Sequence, residues 1–164
     1  MRMRTHLSTT TAGLLAAWLT TAAGCGVSIP EGFEEIVPKD GRDKIELATE
    51  TSGASFGADK LLLLAYAEGT DLQARHEGFR TSLEGAGYTL VGTCKTDSGG
   101  IGSQDFIKAP AKHVQVFSRT DTMLNVLRAA KLMQLDMSPE PCSFTDAAAE
   151  LCATLEGDVC TLPK

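Results

Sequence analysis

Residues 60–67 read Lys-Leu-Leu-Leu-Leu-Ala-Tyr-Ala, a short and continuous apolar run. A run of this length bounded by turn residues is what a central strand buried on both faces looks like, with a buried helix as the alternative. The choice decides the fold. Upstream, Ile45, Leu47 and Thr49 alternate with Glu46, Ala48 and Glu50, which marks a half-exposed strand. A Gly/Ser turn at 52–57 separates the two.

Downstream the pattern changes from strand to helix at Thr70. Thr70 and Gln73 have the spacing of a capping box, and Asp71 stands where the helix dipole favours negative charge. Leu72, His76, Phe79, Leu83 and Ala86 share one face, and Gly87 is placed to end the helix in a left-handed turn. Tyr88–Lys95 reads as the next strand. A polar, glycine-rich loop at 96–105 leads to a short strand at Asp105–Lys108. His113–Arg119 is a further strand, with Val114 and Val116 on one side and Phe117 on the other. Residues 123–129 fit a hairpin partner across Thr120-Asp121-Thr122, with a helix as the alternative. The expected fold is α+β: an antiparallel sheet of about five strands, one main helix on one face, a short helix at Asp146–Leu155 and a disulfide-stapled C-terminal tail.

The chain of 164 residues is 43% hydrophobic and 22% charged, which excludes disordered, collagen-like and polytopic membrane classes. Its formal charge of −6 lacks the basic footprint of a nucleic-acid binder. Arg2 and Arg4 form a positive start, Ala12–Ala23 is mostly apolar, and Ala22-Ala23-Gly24-Cys25 closes the stretch with small residues. This is the order of an export signal, and the apolar stretch is too short for a membrane span. The segment resembles a bacterial lipoprotein signal peptide, with Ala22-Ala23-Gly24-Cys25 as its lipobox and Ala22 in place of the family's usual leucine.

The resemblance implies a diacylglyceryl thioether on Cys25, cleavage before it, and acylation (palmitate, for example) of the new amino terminus. Two or more acyl chains give firm anchoring where one does not. Gly26 stands where aspartate would signal inner-membrane retention in enterobacteria, so the resemblance favours the outer membrane. The chain is also similar to small uncharacterised bacterial lipoproteins with an Ile-Pro opening, here Ile29-Pro30-Glu31-Gly32, and a helix ending in Ala86-Gly87-Tyr88. The domain reading is a signal peptide at 1–24, a lipidated tether at 25–43 reaching up to about 60 Å, and one globular domain at 44–164 with a cysteine-rich segment at 138–164.

Cys94, Cys142, Cys152 and Cys160 remain beyond Cys25. An even count in an exported chain implies two disulfides. A helix at 146–155 holds Cys142 and Cys152 too far apart to bridge. That leaves Cys142–Cys160 with Cys94–Cys152, or Cys152–Cys160 with Cys94–Cys142. Zinc on these thiols with His113 lacks the close cysteine spacing that zinc sites use, and a redox motif is likewise missing. Neither a metal nor a cofactor is expected.

Gly53-Ala54-Ser55-Phe56-Gly57 matches the G-x-S-x-G nucleophile elbow, with Asp97 or Asp105 and His113 following in hydrolase order. Too little chain precedes Gly53 for a doubly wound sheet, and a polar turn is the better reading. Glu31, Glu34 and Glu35 lack EF-hand spacing and read as solvated. Gly99-Gly100-Ile101-Gly102 resembles the start of a calcium nonapeptide in a single copy, with Gln104 where aspartate belongs. His76 and His113 are the ligand candidates, with His76 read first as a boundary residue covering apolar neighbours.

The expected role is a non-catalytic binding or interaction module, held at the membrane surface by lipid on Cys25 and engaging an envelope protein partner. The alternatives are a periplasmic small-ligand carrier with a pocket between helix 71–86 and the sheet, and last a serine hydrolase using Ser55.

Overall fold

The computed structural model describes residues 26–95, 101–109, 112–130, 135–136, 142–154 and 160–161, apart from the side chains of Phe56, Leu135, Asp136, Cys152, Cys160 and Thr161. The fold is α+β. Strands β1 (Ile45–Ser52), β2 (Lys60–Tyr66), β3 (Thr89–Cys94), β4 (Ile101–Lys108), β5 (Lys112–Arg119), β6 (Leu124–Ala130) and β8 (Cys142–Phe144) form one open sheet in the order β1-β2-β6-β5-β4-β3-β8. Every pairing in it is antiparallel. Two short strands, β7 (Leu135–Asp136) and β9 (Cys160–Thr161), pair in parallel elsewhere. Helix α1 (Leu72–Gly85) connects β2 to β3, and α2 (Asp146–Thr154) follows β8.

The run at 60–67 is strand β2, held between β1 and β6, with Leu61, Leu62, Leu64 and Tyr66 buried. The sheet has seven strands rather than about five. One added strand is β8. Another difference lies at 101–105, expected as loop, where the chain is already paired in β4.

The alternation expected of β1 also fails past its first residue. The register shifts between Ile45 and Leu47, so Leu47 is 55% exposed and Ala48 packs on the core instead. A one-residue bulge exchanges the two faces of a strand, because side chains alternate with period two.

Helix α1 lays Leu72, His76, Phe79 and Leu83 on the sheet against Leu62, Leu64, Phe106, Val114, Val116 and Leu127. Its cap is Asp71, whose carboxylate accepts from Ala74 N at 3.0 Å, and not Thr70. The Thr70 hydroxyl donates instead to Ala67 O at 2.7 Å, and Gln73 bonds Glu77. The C-terminus closes as the sequence indicates. Gly87 has φ +86°, Gly87 N donates to Glu84 O, and Tyr88 N donates to Leu83 O at 2.9 Å, a Schellman arrangement that needs the left-handed residue. Lys108 Nζ donates to Ala86 O at 2.6 Å and places positive charge at the helix's negative end.

Helix α2 covers the opposite face, where Val91, Ile107 and Ala148 form a second small cluster with Phe144 and Leu151. A bulge in β3 between Leu90 and Gly92 sets Val91 toward it. Thr145 N donates to Val91 O at 3.0 Å, so the bulge's carbonyl receives a partner from the junction of β8 and α2. Cys94 and Cys142 stand opposite each other in the β3–β8 ladder, Cα atoms 3.9 Å apart, and are joined as a disulfide.

The segment expected as a free tether is largely docked. Ile29, Phe33, Ile36 and Val37 are buried in the main core, and Val27 packs against it. Phe33 N bonds Pro30 O and Val37 N bonds Phe33 O, turns that direct these apolar side chains inward. Arg42 then locks the segment, with Nε to Pro38 O at 3.1 Å and Nη2 to both Glu34 O and Val37 O at 2.5 Å. Arg75 on α1 adds a bond to Asp40 O at 2.7 Å and an ion pair with its carboxylate.

Candidate functional site

The docked segment leaves a cleft between itself and the end of the sheet. Its more apolar part, about 300 Å³, is lined by Phe33, Ile36, Val114, Ala129 and Ala130, and also by the charged Glu31, Asp59 and Lys60. A neighbouring compartment of about 310 Å³ is bounded by Glu34, Glu35, Ala86 and Lys108. Gly32, Ile36, Tyr88 and Lys112 line both, so the two compartments adjoin. A pocket of this size lies at the small end of the range used for small ligands.

The charges at the rim differ in what they already touch. Lys60 pairs with Glu50 at 3.1 Å and lies 5.9 Å from the centre of the Phe33 ring. Lys108 is held by Ala86 O and by the Tyr88 ring at 5.7 Å. Glu34 accepts from Gly32 N at 2.8 Å. Lys112 and Glu35 are exposed, and neither has an ion-pair partner among the described residues. Burial raises the Tyr88 hydroxyl above the ordinary tyrosine range.

The two histidines lie on opposite faces and are not brought together. His76 is only 2% exposed, so it is a core residue rather than a boundary one. Its Nδ1 lies 2.6 Å from Ser118 Oγ, and Asn125 Nδ2 donates to the same hydroxyl. With that lone pair occupied, the Ser118 hydroxyl donates to Nδ1 of a neutral ring. Burial depresses the His76 pKa to about 4. The contact is that of a nucleophile and its base, but Ser118 and Asn125 are completely buried and offer a substrate no access.

His113, 4% exposed, bonds through Nε2 to Asp105 Oδ1 at 2.9 Å. Gln115 Nε2 donates to the same oxygen at 3.1 Å, and Arg128 Nη1 donates to Gln115 Oε1 at 2.7 Å. Its neighbour Val114 belongs to the core under α1, so strand alternation puts the His113 ring on the other side of the sheet. His113 therefore borders the cleft without directing its ring into it.

Ser118 and Asn125 are the polar residues that motif reading missed, whereas Asp105 was named beside His113 only in hydrolase order. The signal for Ser118 and Asn125 was a polar side chain at inward strand positions, in phase with Val116 and Leu127.

Ser55 is exposed in a short turn joining two antiparallel strands, not in a strand-to-helix elbow. The observed Cys94–Cys142 bridge belongs to the second of the two expected pairings. Cys25, Asp97, Gly99 and Gly100 lie outside the described residues, as do the side chains of Cys152 and Cys160. Among the described residues no group of three or more His, Cys, Asp or Glu is arranged to hold a metal ion. Nor is any helix there long and apolar enough to cross a membrane.

Comparison with known protein families, with curated proteins and with solved structures finds no match. The space under α1, where a carrier's pocket was expected, is occupied by Phe79, Leu83, Leu62 and Leu64, all completely buried. The cleft beside residues 31–36 is the better place for a ligand.

Proposed function

We infer that this chain is a lipid-anchored cell-envelope protein, acylated at Cys25 and favouring the outer membrane, whose domain is a non-catalytic binding module. The observation that carries the reading is the coincidence of a basic start, an apolar run and a small-residue box with Cys25. The fold adds a mechanical consequence. Ile29 is already in the core, four steps along the chain from Cys25. At about 3.5 Å per residue this leash spans about 14 Å. Acyl chains on Cys25 would thus hold the domain against the bilayer, with the cleft wall at 31–36 only a few residues further along.

Mass spectrometry of membrane-extracted protein tests the reading: the amino-terminal peptide should begin at Cys25 and carry diacylglyceryl and acyl mass. Cys25→Ser should release or mislocalise the domain. An intact, unmodified amino terminus in the soluble fraction would overturn it.

A second reading, a small-ligand carrier, draws support from the cleft. It requires the domain to leave the membrane with its cargo, and Cys25→Ser separates the two, since a carrier would keep its function when released. The hydrolase reading rests on Ser55, and a serine-hydrolase probe that labels the protein there would revive it.

A further inference from the structure

We propose that the cleft binds a single amphiphile, with the apolar tail in the compartment of Phe33, Val114 and Ala129 and a zwitterionic head in the compartment of Glu35 and Lys112. The inference rests on the binding-module part of the function above and is independent of acylation at Cys25.

Two adjoining compartments of different chemistry argue for a ligand with two ends. The first is mostly apolar, lined by Phe33, Ile36, Val114, Ala129 and Ala130, with Glu31, Asp59, Lys60 and Lys112 also bordering it. The second brings two carboxylates and two ammonium groups around one space. Ile36 and Tyr88 line both compartments and stand where the two meet.

The distribution of satisfied charge selects the head. Lys60, Lys108 and Glu34 are engaged within the protein, which leaves Lys112 and Glu35 as one cation and one anion exposed at the same compartment. A purely anionic head would meet Lys112 but be repelled by Glu34 and Glu35, and a cationic head would meet the reverse. A head carrying both signs, a phosphate beside an ammonium, satisfies Lys112 and Glu35 together. Charge-assisted hydrogen bonds of this kind are about twice as strong as neutral ones.

The test uses the full-length protein and a lysophosphatidylethanolamine bearing a photoactivatable diazirine in its acyl chain. The same acyl chain as a free fatty acid and as a monoglyceride provides anionic and neutral comparators. After irradiation, label on the zwitterionic probe should map to peptides containing Phe33–Ile36, Val114 or Ala129, and exceed that of either comparator. Lys112→Glu should lower it about tenfold, while Lys112→Arg retains it. Glu35→Gln should abolish the preference over the fatty acid.

Both positions are exposed, so the variants keep the wild-type circular dichroism, and a lost signal reads as lost binding. Equal labelling by all three probes, label mapping outside the cleft, label indifferent to Lys112→Glu, or no label would each overturn the proposal. None of these outcomes alters the mass of the Cys25 peptide, so failure here and failure of the anchoring reading are told apart.

Discussion

Acidification should weaken this fold through His76, and the size of the effect follows from where that ring sits. His76 is buried under α1 with its pKa depressed from 6.5 to about 4, chiefly because burial disfavours the charged form. In the unfolded chain the ring titrates near the ordinary histidine value. Between these two values the unfolded state binds the proton and the folded state does not, so stability falls as pH falls. The loss begins near the unfolded pKa and levels off below the folded one. Integrated between about pH 7 and pH 4, linkage gives about 3 kcal/mol, a large fraction of a typical domain's ~5–15 kcal/mol.

Surface carboxylates contribute their own acid dependence, and a matched variant removes it. His76→Gln keeps an amide able to bond Ser118 Oγ and cannot titrate in this range. Urea unfolding followed by far-ultraviolet circular dichroism at several pH values should show the wild-type protein losing about 3 kcal/mol more than His76→Gln over that interval. Parallel curves for the two proteins would refute the argument, because they would mean that the ring charges in place or that water reaches it in the native state.

Three further expectations concern the frame of the cleft and the sheet edge. Closing a loop across 48 residues of sequence predicts that replacing Cys94 and Cys142 together by alanine costs up to about 4 kcal/mol. Without reductant, an alkylating reagent should leave both thiols of the folded protein unmodified. Arg42→Ala removes the donor shared by Glu34, Val37 and Pro38 carbonyls. It should cost about 1–3 kcal/mol and speed limited proteolysis between residues 29 and 44; unchanged cleavage would refute the clamp. Gly92→Ala would place a methyl 2.9 Å from two ring carbons of Phe144, which must then move off β3. A loss of about 1–3 kcal/mol by denaturant midpoint is expected, and wild-type stability would show that the ring is not seated there.

Period and punctuation made most of the sheet legible. The strands at 60–66 and 112–119 are apolar throughout or at alternate positions, and turn residues bound them, while 124–130 fitted a helix as well. Helix α1 carried its own start and stop. Three features escaped for physical reasons. A single-residue bulge in β1 leaves the alternation intact in the sequence while reversing its meaning in space. Strand β8 has only three residues, too few for any periodic signal, and owes its place to the ladder and disulfide with β3. The docked segment carried a signal that its composition concealed. Ile29, Phe33, Ile36 and Val37 recur at helical spacing among Pro30, Gly32 and Pro38, whose turn chemistry suggested a linker. The cleft depends on this segment for one wall and so was not visible before the fold.

The two histidine networks explain why a chain with so few motifs still specifies one strand arrangement. Ser118 and Asn125 are direct cross-strand partners in β5 and β6, and Asp105 and Gln115 are direct partners in β4 and β5. Each pair is tied to a buried histidine, one from α1 and one from β5 itself. A slip of one residue along either ladder would turn one member of a pair to the opposite face and leave a buried polar group without its partner. That loss is about 1–3 kcal/mol per group, more where charge is involved. Apolar neighbours impose no such penalty, since Val116 and Leu127 would find other contacts. The buried polar groups therefore act on register, and their closure from solvent is what that role requires. Ligand chemistry needs the opposite condition, charges that solvent and a guest can reach, and Lys112 and Glu35 meet it together beside the mostly apolar compartment of Phe33 and Val114.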